Sequence, residues 1–339
     1  MSSRTQTSRS AKKSDVTSKS EALGGVGLSE QQLQGLPPAW RDRLTDLPTL
    51  SSVSMKISLL INDPRSSSRQ IAALLKGDLA LTAKILRLVN SSYYAVPGGV
   101  SDVQRALVFL GFNTVAQLVL SVSVLGAFSG IQSPVSLDVF WEHSLATAVI
   151  SARLSASLQG ELAGGGDRVG QSGDGGKGYF NYRPEEAFTA GLLHDLGKLA
   201  LLKLDAELFG RIWCEARQRK VPFDECVLKE AAPAHDLLGE ALARSWSLPE
   251  GIVRAVAGHH REEVVTAGLA ERPSLASCVG LANRLAKHWH LGESGSFDPP
   301  QIEDSELRAF GRSKEHLEEF REEVRVELEK ARVFLNAGP

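Results

Sequence analysis

His194 is followed directly by Asp195. Neutral imidazole and carboxylate are suitable ligands for zinc, manganese or iron. Adjacent residues can reach one cation together only where the backbone turns, and Gly191 and Gly197 flank the pair as at a helix end. Lys198 lies one turn further on and is a candidate contact for a phosphate oxygen. These residue types and this spacing predict a metal site at which Lys198 could bind a phosphate group.

Further histidines could reach the same site from separate segments of the chain. His143 and His235 share predicted helix faces with small or apolar residues, so both are predicted to point inward. Gly258 could end another helix and direct the two histidines after it at the same centre. A single buried histidine is more often a core residue with an ordinary hydrogen-bond partner, but together they predict a cluster. The candidate metal ligands are His143, His194, Asp195, His235, His259 and His260.

Helices with one apolar face must position these residues. Ser67 with Gln70 and Ser101 with Gln104 each fit a capping box before an apolar run, and Gly111 is a predicted helix stop. Residues 115–125 are rich in β-branched side chains, so a buried strand is the alternative there, but the length and spacing favour a helix. The sequence shows no alternating strand pattern. We therefore predict an all-α fold.

Glycine- and serine-rich stretches divide the chain. Residues 1–36 cannot bury enough apolar surface to offset the entropy of ordering, which predicts a disordered tail. Residues 160–183 are dense in glycine and are predicted to form a flexible insertion, either neutral or a partner site. Within the body, residues 37–130 form a predicted N-terminal helical part and residues 137–290 carry the histidines.

The segment 300–339 is predicted to carry an amphipathic helix with Leu317, Phe320, Val324 and Leu328 on one face. Such a helix could dock on another protein, form a short coiled-coil arm or pack on its own core. The sequence leaves these alternatives, and the oligomeric state, open.

Composition argues against several function classes. The formal net charge of −2 gives no general attraction to nucleic acid or to anionic membranes. No apolar run is long enough to cross a membrane and no signal peptide is recognised, so a cytoplasmic location is expected. The cysteines Cys214, Cys226 and Cys278 are far apart, which predicts reduced side chains without a metal-binding role.

The histidine-bearing motifs resemble a known family. In order, WEHS, GLLHDLGKL, AHDLLGEALARSW, GHH and LANRLA are similar to the helices of the HD superfamily of metal-dependent phosphohydrolases. Earlier segments, including DLALTAKILRLVNSSYY and VQRALVFLGFNTVAQLVLSVSV, resemble the N-terminal helical subdomain of its output-domain branch, HDOD. The resemblance covers residues 37–290 and implies a multi-helix HD-like bundle with an N-terminal helical subdomain. It also implies a regulatory role in bacterial signal transduction.

The chain departs from the catalytic members of the superfamily at two places. LANRLA puts Asn283 where catalytic members have a late metal-binding aspartate, and an amide without the anion binds a divalent cation more weakly. The Gly-Tyr-Pro element that marks the cyclic-dinucleotide phosphodiesterase branch is missing after the double histidine, where the chain reads GHHREEVVTAGLAERP. Both departures favour a non-catalytic protein.

The sequence therefore favours a signal-transduction output module that binds signalling proteins or a ligand. Its histidine cluster would be a remnant, with or without zinc, manganese or iron. The alternative is a metal-dependent phosphohydrolase acting on a nucleotide or cyclic nucleotide, with Lys198 contacting phosphate. A third hypothesis is a sensor that binds a nucleotide without turnover and shifts the two subdomains. No nucleic-acid or membrane partner is expected.

Overall fold

The structure is a computed structural model that describes residues 35–164, 182–260 and 273–337. Within these ranges every regular element is a helix and no strand is present, so the all-α prediction is confirmed. Of the predicted N-terminal tail, only residues 35 and 36 are described, and Leu36 is buried. Residues 165–181 of the predicted insertion and residues 261–272 lie outside the described ranges.

The first group of helices packs around one long helix. Its members are α1 (Pro38–Arg41), α2 (Ser52–Ile61), α3 (Ser68–Lys76), α4 (Leu79–Val89) and α5 (Val103–Ala127), with a 3-10 turn at Asp42–Asp46. Helices α2, α3 and α4 all contact α5. Ser67 and Gln70 form the predicted capping box before α3. The predicted cap of α5 was wrong by one residue: Asp102, not Ser101, accepts the backbone N–H of Arg105, at 2.9 Å.

Helix α5 is interrupted at Gly111, where φ is 83° and ψ is 169°. Glycine adopts this backbone conformation without a steric penalty, and the first helical run ends there as predicted. Residues 115–125, for which a strand was the alternative, are helical. By length and composition α5 is the one helix of the described ranges that could span a membrane, yet 61% of its most apolar stretch is buried. It is a core helix of this fold.

The second group contains the histidines. Its members are α6 (Leu137–Gly164), α7 (Pro184–Leu193), α8 (Leu196–Leu204), α9 (Ala206–Arg219), α10 (Phe223–Lys229), α11 (His235–Ser245), α12 (Glu250–Gly258) and α13 (Leu275–His288). Helix α6 lies at the centre and packs against α7 and α13, while α8 packs against α11. Because α6 continues to Gly164, the start predicted for the insertion at residue 160 was too early; α7 begins directly after the predicted end at Arg183.

The C-terminal segment comprises α14 (Asp304–Ala309) and α15 (Leu317–Ala331), with 3-10 turns at Lys314–His316 and Arg332–Ala337. Helix α15 is the predicted amphipathic helix, and it packs against α6. Phe320, Val324 and Leu328 are buried, as is Phe334 just beyond the helix. Of the three alternatives, packing on its own core is the one observed, and a free coiled-coil arm was wrong.

The two helical groups are joined by hydrogen bonds as well as by the contact of α5 with α7. The indole Nε1–H of Trp246 donates to the carbonyl of Pro48 at 2.9 Å. The Ser58 hydroxyl donates to the carbonyl of Ser247 at 2.5 Å. Both bonds connect the N-terminal helices to the turn between α11 and α12, so the halves form one packed body.

Candidate metal centre

His194 and Asp195 lie at the turn between α7 and α8, as their spacing predicted. A Cβ atom on Gly191 would lie 2.8 Å from Ala148 Cα, and one on Gly197 would lie 1.6 Å from the backbone oxygen of His235. Both glycines therefore permit close packing of neighbouring helices. This packing brings the turn against α6 and α11, which carry further histidines.

The carboxylate of Asp195 is the centre of the cluster. Its Oδ2 lies 3.3 Å from Nε2 of His194, and its Oδ1 lies 3.3 Å from Nε2 of His235 and 3.5 Å from Nε2 of His259. Each of these four side chains is at most 1% exposed. Three imidazoles from three parts of the chain thus converge on one buried carboxylate.

Hydrogen bonds at the far side of two rings determine their tautomers. Nδ1 of His194 lies 2.8 Å from the carbonyl of Gly191, and Nδ1 of His259 lies 3.0 Å from the carbonyl of Val256. A carbonyl only accepts, so in the neutral ring Nδ1 carries the proton and Nε2 presents a lone pair. Within the part of the chain that the structure describes, both Nε2 atoms and Asp195 Oδ1 are buried without a hydrogen-bond partner. Hydrogen-bond acceptors that face one another without a proton between them repel. A divalent cation removes this repulsion, because each of these atoms can bind it through a lone pair.

His235 is held by a second carboxylate. Its Nδ1 lies 2.6 Å from Oδ1 of Asp224, in α10. Burial lowers the pKa of His235, but the carboxylates of Asp224 and Asp195 together outweigh this effect and raise the pKa to about 9. Burial raises the pKa of Asp224, but the charge of His235, its hydrogen bond to Asp224 and the charge of Lys198 together lower that pKa below its usual value. Sequence reasoning missed Asp224 because an acid in the first turn of a helix is common and no motif surrounds it.

His143 approaches from α6 on the other side of Asp195. Its Nε2 lies 3.0 Å from Oδ1 of Asn283 and 3.5 Å from the Thr147 hydroxyl, whereas its Nδ1 has no partner among the described residues. Its ring centroid is 5.5 Å from that of His194. Burial lowers the pKa of His143 to about 3, so the ring is neutral and able to bind a cation. Asn283 is buried as predicted and contacts His143 through its amide.

Lys198 is buried inside the cluster rather than at its surface. Its Nζ donates to Asp195 Oδ2 at 2.8 Å and to the carbonyl of Ser294 at 2.9 Å, and the residue is 1% exposed. The loop after α13 that supplies Ser294 is tied to α6 by a hydrogen bond from the Glu293 N–H to the Val139 carbonyl, at 2.8 Å. Lys198 therefore neutralises the charge of Asp195 and holds this loop against the histidine cluster through its hydrogen bond to Ser294. Sequence reasoning had no signal for the loop contact.

All the candidate ligands are brought together, in two overlapping sets that share Asp195. Within each set the ligand atoms lie within 4.8 Å of one another; the sets are Asp195, His235, His259 and His260, and His143, His194 and Asp195. His260 Nε2 lies 3.2 Å from His235 Nε2, and its side chain is 33% exposed. The geometry could thus hold one or two cations, one of them near the surface at His260.

Comparisons with known proteins identify the family of the chain. The family model described as the HDOD domain matches residues 47–262. An uncharacterized protein of Treponema pallidum is 26% identical over 255 residues, which are 75% of this chain and 45% of that protein. The chain therefore spans about half the length of this relative.

Solved structures share the fold. An HDOD domain protein from Geobacter sulfurreducens is 23% identical, with a TM-score of 0.64 over 87% of this chain and 98% of that one. A candidate phosphohydrolase from Shewanella amazonensis is 21% identical, with a TM-score of 0.63 over 88% and 98%. A candidate signal transduction protein from Marinobacter aquaeolei is 18% identical, with a TM-score of 0.63 over 88% and 61%. At these identities the likeness concerns the fold.

Proposed function

Because the chain belongs to the HDOD family, we propose that it is a signal-transduction output module that binds signalling proteins and does not catalyse a reaction. Its histidine cluster binds a divalent transition metal (zinc, manganese or iron), which holds the helices of the second group together. The proposed location is the cytoplasm. One of the fold neighbours is described as a candidate signal transduction protein, which is in keeping with this role.

The enclosure of the cluster is the observation that carries the proposal. The side chains of His194, Asp195 and His259 are fully buried. Structural metal sites are closed by protein ligands, whereas catalytic sites keep a position open for water or substrate. The ligands come from α6, the α7–α8 turn, α11 and the end of α12, so ions in the two overlapping sets would together connect four parts of the second group.

Two further residues support a non-catalytic centre. Asn283 provides a neutral amide beside His143, so this side of the site lacks an anion that would strengthen cation binding and help to activate water. Lys198 is engaged by Asp195 and Ser294 and has almost no exposed surface on which to meet a phosphate. Neither residue is therefore placed for hydrolysis.

A metal-dependent phosphohydrolase is the second candidate, favoured by one observation. On the side of His260 and Asp224 the cluster reaches the surface, since these side chains are 33% and 35% exposed. A metal there would supply Lewis acidity toward a phosphoryl oxygen. Asp224 would hold the proton on Nδ1 of His235, so that Nε2 is the nitrogen that gives up its proton to bind the cation.

Elemental analysis tests the proposal, with three purified proteins compared: the natural chain, the His194→Ala, Asp195→Ala double variant, and His316→Ala. His316 is exposed, outside the cluster, and serves as the matched control. We expect near-stoichiometric transition metal in the natural chain and in the control, and its loss in the double variant. The metal-loaded protein should hydrolyse none of a panel of nucleotides and cyclic nucleotides.

Other results separate the alternatives. Hydrolysis by the natural chain and by His316→Ala, but not by the double variant, would establish the phosphohydrolase instead. Absence of metal from all three folded proteins would show that the cluster is held by hydrogen bonds alone, and the metal would then be removed from the proposal.

A further inference from the structure

The two carboxylate oxygens of Asp195 are not equally available to the two sets of candidate ligands. Its Oδ2 lies 3.3 Å from Nε2 of His194 and already accepts a hydrogen bond from the Lys198 ammonium, at 2.8 Å. Its Oδ1 faces Nε2 of His235 and of His259, and it accepts no hydrogen bond within the described ranges. A cation beside Oδ2 would share that oxygen with an ammonium group of the same sign. The available oxygen therefore lies on the side of His235 and His259.

His143, in the set that contains His194, is engaged by Asn283. Its Nε2 lies 3.0 Å from Oδ1 of this amide. A carbonyl oxygen only accepts, so Nε2 carries the proton in this contact and has no lone pair for a metal. With the amide turned over, its N–H would donate to the same nitrogen, so Nε2 is occupied in both orientations. His194 and Asp195 alone provide two ligands, whereas structural zinc sites use four.

The other set is complete and has the dimensions of a tetrahedron. One nitrogen each of His235, His259 and His260 and one oxygen of Asp195 lie within 4.8 Å of one another. Nε2 of His235 is 3.2 Å from Nε2 of His260 and 3.3 Å from Oδ1 of Asp195, and this oxygen is 3.5 Å from Nε2 of His259. Zinc bound tetrahedrally at 2.0–2.1 Å requires edges of about 3.3–3.4 Å. Three of the six edges therefore already fit a zinc ion.

Hydrogen bonds and charge behind the rings favour the same set. Nδ1 of His235 donates to Oδ1 of Asp224 at 2.6 Å, and Nδ1 of His259 donates to the carbonyl of Val256 at 3.0 Å. Both bonds leave Nε2 as the nitrogen that faces the centre. Asp224 also adds a second negative charge on this side, since its Oδ2 lies 3.9 Å from Nε2 of His260. A divalent cation is therefore attracted by two carboxylates here.

Building on the proposed function, we propose that the cluster binds a single zinc ion, and that it does so in the four-ligand set only. Asn283 keeps His143 out of the coordination, and the Lys198 ammonium provides the positive charge beside Oδ2. Three nitrogens and one oxygen in a tetrahedron are typical zinc ligands, and they leave no position open for water or substrate. The ligands are Oδ1 of Asp195 and the Nε2 atoms of His235, His259 and His260.

Titration of the metal-depleted full chain with Zn²⁺ and with Co²⁺ tests this coordination. We expect one equivalent of each ion to bind. Tetrahedral Co²⁺ absorbs far more strongly in the visible than six-coordinate Co²⁺, so the cobalt protein should show the intense tetrahedral bands. A weak six-coordinate spectrum, or two equivalents of tightly bound zinc, would overturn the proposal.

The same substitution on each side of Asp195 locates the ion. His260→Gln should weaken zinc binding by about 100-fold or more, because the loss of a partner behind a ligand already costs about 10- to 100-fold. The His260 side chain is 33% exposed, so this variant should fold. His143→Gln should leave the zinc affinity within about threefold. Asn283→Asp gives the second set its missing anion and should bind a second equivalent.

The outcomes separate this proposal from the proposed function. Loss of zinc in His143→Gln with retention in His260→Gln would place the ion in the other set; the coordination would be wrong and the metal-binding module would stand. No zinc or cobalt binding by the natural chain would remove the metal from both. If His143→Gln does not unfold cooperatively on heating, the cobalt spectrum of the natural chain and the His260→Gln affinity decide.

Discussion

Nδ1 of His235 lies 2.6 Å from Oδ1 of Asp224, and this contact orients the opposite nitrogen of the ring toward Asp195. A carboxylate behind a metal-binding imidazole fixes the tautomer and makes the ring a stronger ligand. Asp224 therefore fixes the tautomer and the orientation of His235 for metal binding. Its own carboxylate lies outside the buried part of the cluster.

Asp224→Asn should weaken metal binding by about 10- to 100-fold, because an amide no longer fixes the proton on Nδ1 of His235. Competition with a chromophoric chelator measures the dissociation constant. Asp236→Asn is the matched control, since Asp236 is the neighbour of His235 and, among the described residues, its carboxylate accepts only from the backbone N–H of Leu237, at 2.8 Å. Equal metal affinities in the two variants would show that Asp224 does not orient His235 for metal binding.

Removing the metal should destabilise the fold. The ligands come from separate helices, so an ion that binds the folded state alone adds about 2.7 kcal/mol when present at 100 times its dissociation constant. We expect the Tm to fall by several degrees after chelation and to recover when metal is restored. Differential scanning fluorimetry of the natural chain and of His194→Ala, Asp195→Ala measures this, and the double variant should show no response to metal. A response of equal size in both would place the stabilising ion elsewhere.

Gly197→Ala should be strongly destabilising. The added Cβ would lie 1.6 Å from the backbone oxygen of His235, so α8 and α11 would have to separate. We expect a loss of about 3 kcal/mol in the free energy of unfolding, measured by urea denaturation. In Gly126→Ala the added Cβ would meet no packed neighbour within 4 Å among the described residues, and this control should unfold at the natural urea concentration or slightly above it. Similar midpoints for the two variants would contradict the packing argument.

Asn283→Asp should strengthen metal binding while weakening the metal-free fold. It places a carboxylate at the position that now contacts His143 Nε2 at 3.0 Å, adding an anion to the site. Without metal, the buried charge should cost about 1–3 kcal/mol of stability. Chelator competition and thermal unfolding with and without metal measure the two effects. No gain in affinity would mean that the amide position does not face the cation.

Thiol reactivity should distinguish the three cysteines. Cys214 is exposed, whereas Cys226 and Cys278 are buried. Burial raises the pKa of Cys226, and it raises the pKa of Cys278 to about 12, so both stay as unreactive thiols at pH 8. Ellman's reagent at pH 8 should titrate one thiol in the native protein and three after denaturation. Cys214→Ser should abolish the native reaction; fast labelling of this variant would show that a buried thiol becomes accessible.

Local patterns in the sequence predicted the helices and the members of the cluster. Gly111 ended a helix as expected, and Ser67 capped one, because both act through backbone geometry within a few residues. His194 and Asp195 could be assigned to a turn for the same reason. The cap of α5 was misplaced because Ser101 and Asp102 are adjacent and both residue types cap helices well.

Contacts between distant segments were decided by the tertiary structure. The sequence by itself determined an all-helical chain with inward-facing histidines, since helical periodicity and glycine placement are local properties. Only the folded chain brought Asp224 behind His235, tied Lys198 to Ser294, and placed Gln117 and Glu185 on the wall of one cavity. These partners lie 11, 96 and 68 positions apart, and α-helical periodicity constrains only residues about one turn away. Which surfaces of the helices meet is decided by side-chain packing across the whole core.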